Sequence, residues 1–214
     1  GDLTLQNGRS LTLLPHTLDT APGSSLTIGM PAKAPGDTFL RVQGDFKHAG
    51  ALSLLQGGEL RIDGSATSDG VVRGDGSISV PPGQVFINNG LIEPGIPVGM
   101  PGADPTGVLR ISGRGDLIIN DPSVIRIDIF ALGIGTGHDQ LRVDGRMLFD
   151  DDMAGRLEVI VDPSYVPVEG DTFEILRFDG GSEGWFEELI IPSFFEQVRE
   201  DRGLVLVVLP APGT

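Results

Sequence analysis

The chain has 214 residues with a formal net charge of −15, 32 glycines, 16 prolines and no cysteine. Nucleic-acid binding needs a basic surface, so that charge makes DNA or RNA a poor partner and disfavours anionic membranes. The missing cysteine excludes disulfides, thiolate nucleophiles and cysteine-based metal sites. No apolar run approaches the roughly 20 residues of a membrane span, so no membrane insertion of the mature chain is expected. A hydrophobic fraction of 39% is too rich for a disordered Gly/Pro chain, so the glycines belong to the turns of a folded protein. Acidic balance fits solubility outside a cell, and a lack of cysteine is common in exported bacterial proteins. The first residue is Gly1 rather than methionine, which fits a removed signal peptide or a fragment boundary.

Taken in chain order, the elements are short and glycine-punctuated up to about Pro105. They are Leu3–Leu5, Ser10–Leu13, Ser25–Ile28, Leu52–Leu54, Glu59–Ile62, Ser77–Val80 and Val85–Ile87. Their spacing is loosely regular without a strict period. Such strands suit the coils of a β-solenoid, each turning at a glycine and stacking on the last. Small Ser, Thr and Gly residues and few aromatics fit a narrow stacked core.

From Thr106 the strands lengthen and alternate more cleanly. Ile125-Arg126-Ile127-Asp128-Ile129 puts three isoleucines on one face and two charges on the other. Leu141–Asp144, Leu157–Val159 and Phe173–Ile175 follow the same pattern, and Phe130, Phe149, Tyr165, Phe173, Phe178, Trp185, Phe186, Phe194 and Phe195 gather here. Larger side chains suit the wider gap between two facing sheets. Ser193–Glu200 is the segment most compatible with a helical turn. Leu204–Leu209 is apolar on both faces and should be covered on both sides. The expected fold is all-β: a right-handed parallel β-helix over 1–105, a β-sandwich-like C-terminal region over 106–209 that caps it, and a Pro-rich tail at 210–214.

Residues in one order carry a family resemblance. Asn89-Gly90 through Pro94-Gly95 lead to Val108–Gly113 and Ile125-Arg126-Ile127. His138-Asp139-Gln140-Leu141, Gly155–Val159 and Gly170-Asp171-Thr172-Phe173-Glu174-Ile175-Leu176 come next. This order resembles the C-terminal part of autotransporter-type passengers and of secreted bacterial surface proteins with a PEP-CTERM sorting signal. The resemblance covers roughly the last 125 residues well. It implies a right-handed parallel β-helix and a surface, adhesive or matrix role, often without a catalytic site. His138 stands where those proteins usually carry an aromatic. The end, Leu209–Thr214, has the proline-rich start of such a signal without the hydrophobic span and basic tail.

Candidate chemistry is sparse. Two Arg-Gly-Asp triplets, Arg73-Gly74-Asp75 and Arg114-Gly115-Asp116, read as solvated turns before strands. Asp63, Asp69 and Asp75, six apart among glycines, and the run Asp150-Asp151-Asp152 could offer oxygens to a structural calcium ion; otherwise no cofactor is expected. The histidines, His16, His48 and His138, lack metal-ligand spacing. His138 and Asp139, adjacent on a strand, would point to opposite faces, against a base and its orienting carboxylate.

No catalytic residue, cofactor-binding residue or metal ligand is therefore nominated. The expectation is a non-enzymatic, self-assembling subunit of a bacterial surface filament, sheath or matrix. Its candidate assembly strand carries Leu3, Leu5, Leu11 and Leu13, and its partner is a further copy of itself through strand addition or end-to-end stacking. The alternatives are a monomeric adhesin or carbohydrate-binding module meeting surface glycans through Trp185 or Tyr165, and, third, a polysaccharide-degrading β-helix enzyme.

Overall fold

A computed structural model of the chain describes residues 1–6, 9–13, 17–29, 38–96 and 105–210, and among them no helix occurs. The chain winds in coils of three strands. The first coil is β1 (Asp2–Leu5), β2 (Ser10–Leu13) and β3 (Leu18–Thr20); the second is β4 (Ser25–Gly29), β5 (Phe39–Val42) and β6 (Phe46–His48). The third has β7 (Ala51–Leu55), β8 (Glu59–Ile62) and β9 (Ala66–Ser68), and the fourth β10 (Val71–Gly74), β11 (Ser77–Ser79) and β12 (Val85–Asn88). The fifth has β13 (Leu91–Pro94), β14 (Val108–Ser112) and β15 (Asp116–Ile119), and the sixth β16 (Val124–Ile129), β17 (Gln140–Val143) and β18 (Met147–Met153). β19 (Arg156–Val161), β20 (Thr172–Phe178) and β21 (Ser182–Trp185) make the seventh, followed by β22 (Glu188–Ile190), β23 (Phe195–Glu200) and β24 (Gly203–Val208).

Every third strand pairs in parallel. One sheet runs β1-β4-β7-β10-β13-β16-β19-β22, a second β2-β5-β8-β11-β14-β17-β20, and a third β3-β6-β9-β12-β15-β18-β21. This is the connectivity of a β-solenoid. The sheets run unbroken past residue 105, so the longer strands after Thr106 add coils to the same stack. The antiparallel, sandwich-like part is confined to β24, which pairs with β20, and β23, which pairs with β24. The change of texture is a change of coil length. Arg73 lies 20 residues after Ser53 of the coil before it, whereas Arg126 lies 33 after Glu93. That drift is why no strict period shows in the sequence.

Ser193–Glu200 is not helical: Phe195–Glu200 forms β23, with Phe195 opposite Val208 and Glu200 opposite Gly203. Pairing with the backbone edge that β24 leaves open beyond β20 outweighs a weak local preference. Leu204, Leu206 and Val208 are buried on it.

Alternation sends one face of each strand inward. On β16, Ile125, Ile127 and Ile129 are fully buried while Arg126 and Asp128 lie on the other face. The inward side chains form one core from Leu26 to Val208. In-register stacking also piles like residues together, so Arg110, Arg142 and Arg177 stand side by side on neighbouring strands. Carboxylates interleave them: Arg110 pairs with Asp144 at 2.8 Å and Arg142 with Asp179 at 3.1 Å, both across a coil boundary. Arg146 bridges Asp116 at 2.7 Å and Glu183 at 2.8 Å, one coil below and one above. Each exposed pair is worth well under about 1 kcal/mol. Their shared effect is to offset the like-charge repulsion that the stacking would create.

One corner shows why glycine recurs. The carbonyls of Ser24, Gly50, Gly70 and Gly90 accept from the N–H groups of Ala51, Val71, Leu91 and Val124 in the next coil, each at 2.9 Å. A Cβ on Gly70 would stand 2.1 Å from the Gly50 oxygen, and one on Gly90 2.1 Å from the Gly70 oxygen. Here glycine is required by close approach of one backbone to another.

Candidate functional site

The four leucines of the candidate assembly strand occupy two strands of one coil. Leu3 and Leu5 on β1 stand beside Leu26 and Ile28, and Leu11 and Leu13 on β2 beside Leu40 and Val42. Those four partners are all but completely buried, so these columns face inward. Yet Leu3 is 40% exposed, and Leu5, Leu11 and Leu13 are only half-buried. The difference is the lack of a covering coil: among the described residues β1, β2 and β3 each pair on one side only. Leu14 and His16 lie outside the described residues.

The opposite end is furnished differently. The outer edge of the second sheet is β23, where Glu196, Gln197, Val198, Arg199 and Glu200 are exposed. Charged side chains on an edge strand discourage further pairing. The outer strands of the other two sheets are β22 and β21. Trp185, on β21, is partly buried, with the Arg199 guanidinium 4.1 Å from its ring centroid and Phe186 edge-on at 5.6 Å. Tyr165 lies edge-on to Phe173 at 6.3 Å and donates its hydroxyl to Asp171 at 3.2 Å.

Arg73 and Gly74 end strand β10 with Asp75 in the bend after it, whereas Arg114 and Gly115 belong to the turn before Asp116 opens β15. Arg73 donates to Ser53 Oγ at 3.2 Å and Asp75 accepts from the Gln56 N–H; Asp116 is held by Arg146. The glycine-spaced acids diverge as well: Asp63 pairs with Arg41 at 2.9 Å, while Asp69 accepts from Asn89 at 2.6 Å. Asn120 donates in turn to Asn89 Oδ1 at 2.9 Å, extending an amide ladder along that corner. Asp150, Asp151 and Asp152 lie exposed at the irregular end of β18, with positive φ at the latter two. Among the described residues no three acidic or histidine side chains converge in a way that would hold a metal ion.

His138 and Asp139 are both buried, at 2% and 0% exposure. His138 packs edge-on against Phe173 at 5.3 Å, and burial holds its pKa below the ordinary value. Asp139 accepts the Gly107 N–H on Oδ1 at 2.8 Å and the Asp128 N–H on Oδ2 at 3.0 Å, while its own N–H donates to the Asp128 carbonyl at 2.9 Å. Burial pushes its carboxyl up to about 8, against the lowering effect of those two N–H groups. Next to it, Gln140 Nε2 donates to the Glu174 carbonyl at 3.1 Å in the following coil. This pair thus ties three coils together. In the sequence Asp139 stands out as a neighbour of His138 and as part of the His138–Leu141 run; its use as a double acceptor depends on contacts with Gly107 and Asp128, which no local pattern reveals.

An apolar groove near the C-terminal cap was not foreseen. Val161, Tyr165, Val166, Pro167, Phe194 and Leu209 line a cavity of about 590 Å³ between the β19–β20 loop and the cap hairpin. The available signal was Tyr165-Val166-Pro167-Val168, an apolar run inside a stretch too proline-broken to be a strand. No protein-family model matches the chain, and no curated protein matches it in sequence.

Proposed function

We propose that the chain is a non-enzymatic structural subunit of a bacterial extracellular or cell-surface filament, sheath or matrix, joined to further copies through its first coil. The supporting observation is the half-open layer of Leu3, Leu5, Leu11 and Leu13 on strands that, among the described residues, pair on one side only. Covering that layer would bring about 1 kcal/mol or more per leucine and supply partners to the edge N–H and C=O groups. A first coil docked on the far end of another copy, with β1 and β3 along the outer edges of β22 and β21 and the leucine layer over the interior between them, makes a heterologous contact, and a repeated heterologous contact that does not close produces a filament. Asp139 and Gln140 are engaged in coil-to-coil bonding, a structural use of a carboxyl that burial pushes up to about 8.

Leu11→Lys tests this. On an uncovered coil the lysine stem lies along the leucine layer with its ammonium in water, so the folded subunit should persist. Under another coil the same charge would be buried without a partner, so assembly should fail. The expected result is filaments from the wild-type chain by negative-stain electron microscopy and monomers from Leu11→Lys at unchanged circular dichroism. Monomers from both chains would refute the proposal.

A further inference from the structure

The groove at the C-terminal cap has the properties of a preformed docking surface. Its loop is fixed at both ends: Tyr165 N–H donates to the Asp162 carbonyl at 2.9 Å, Gly170 N–H to the Val208 carbonyl at 3.1 Å, and Val208 N–H back to the Asp171 carbonyl at 2.9 Å. Asp171 Oδ2 also accepts the Val168 N–H at 2.8 Å. On this pinned frame the apolar side chains face water, with Val166 79%, Val168 65%, Phe194 40% and Leu209 38% exposed. A contiguous apolar patch of this kind marks an interaction site.

Among the described residues the lining carries two charges, Asp162 and Glu169, and no lysine or arginine. The Ser164 N–H, at 2.8 Å, and its hydroxyl both donate to Asp162, which holds that carboxyl below the ordinary carboxylate range and keeps it ionised. The groove is therefore an apolar trough with an anionic rim, on a protein of net charge −15. Anionic ligands are repelled, and a cation beside apolar groups is matched.

We propose that this groove docks an extended segment of a partner protein in which leucine, valine or proline side chains flank a lysine or arginine. The apolar side chains enter between Val166, Phe194 and Leu209, and the cation sits against Asp162 and Glu169. A volume near 590 Å³ holds a few side chains. Pre-set walls lower the ordering cost of binding. The first coil of another copy is a poorer match, since its exposed charges are Asp2 and Asp19 against Arg9. The groove is thus independent of the assembly contact.

The test is selection of random peptides displayed on phage against the immobilised chain, with Val166→Asp as counter-selection. At 79% exposure that substitution leaves the fold intact. Enriched peptides should combine apolar residues with lysine or arginine. As synthetic peptides they should bind Val166→Asp at least about thirtyfold more weakly and Glu169→Lys about tenfold more weakly. Binding should also shift the ring resonances of Tyr165, the single tyrosine. Failure to enrich any peptide over the counter-selection, enrichment of acidic sequences, or indifference to Glu169→Lys would overturn the proposal. Self-association in sedimentation that Val166→Asp abolishes would also overturn it, assigning the groove to another copy.

Discussion

Gly70→Ala is expected to destabilise the fold by about 3 kcal/mol, at the top of the usual range for overpacking. The added methyl would stand 2.1 Å from the Gly50 carbonyl oxygen, 2.8 Å from Ala49 C and 2.9 Å from Gly50 N, all of them backbone. No rotamer change can relieve such a contact; one coil must lift from the next. Lifting also stretches the bond from Val71 N–H to the Gly50 carbonyl, now 2.9 Å, and the carbonyl of Gly70 carries the next bond, from Leu91, so the strain passes both ways. Gly83→Ala separates close approach from backbone conformation. Gly83 has φ +81° with nothing within 4 Å of an added Cβ. Its replacement should cost only the left-handed penalty of about 1–2 kcal/mol. Denaturant titration of both variants measures the gap; equal losses would mean that the coil-to-coil contact at Gly70 relaxes freely.

The comparison of these two glycines also marks how far the sequence could be read. Both stand between short apolar runs, and both looked like turn glycines. Only the stacking separates one that needs a positive φ from one that needs the space of a hydrogen atom. Strands were legible because burial alternates along them, as on β16, where each isoleucine is inside and each charge outside. The stack was legible in outline, because short glycine-cornered strands have few other ways to cover their apolar faces. Where coils lengthen from 20 to 33 residues, the same architecture looks like a new one in sequence. β23 escaped recognition because its partner, not its own residues, makes it a strand. The groove escaped for a related reason: Val161, Tyr165, Phe194 and Leu209 come from segments far apart in the chain that only the cap hairpin brings together.

Asp139→Ala is expected to cost about 2–4 kcal/mol at pH 5, with a penalty that shrinks as pH rises. Removing the carboxyl leaves the Gly107 and Asp128 N–H groups without their acceptors, each worth about 1–3 kcal/mol when buried. The pH dependence follows from proton binding. Asp139 has its folded pKa raised to about 8 from an ordinary 3.8. Between those values the folded chain holds a proton there that the unfolded chain has lost. Stability from this residue is therefore highest below the unfolded value and declines through the interval, by at most about 1.4 kcal/mol per pH unit. Above the folded value both states are ionised and the decline ends. The buried charge then stands near Asp128, whose own pKa is raised by burial and by Glu93. Asp139→Ala lacks this titration, so the wild-type and variant curves should converge between pH 5 and pH 8. Urea unfolding at four pH values across that window checks it, and parallel curves would show that Asp139 is ionised throughout. The His138-Asp139-Gln140 stretch drew attention for a reactive pairing of histidine and aspartate. Its aspartate instead bonds to the coil before it while the adjoining glutamine bonds to the coil after.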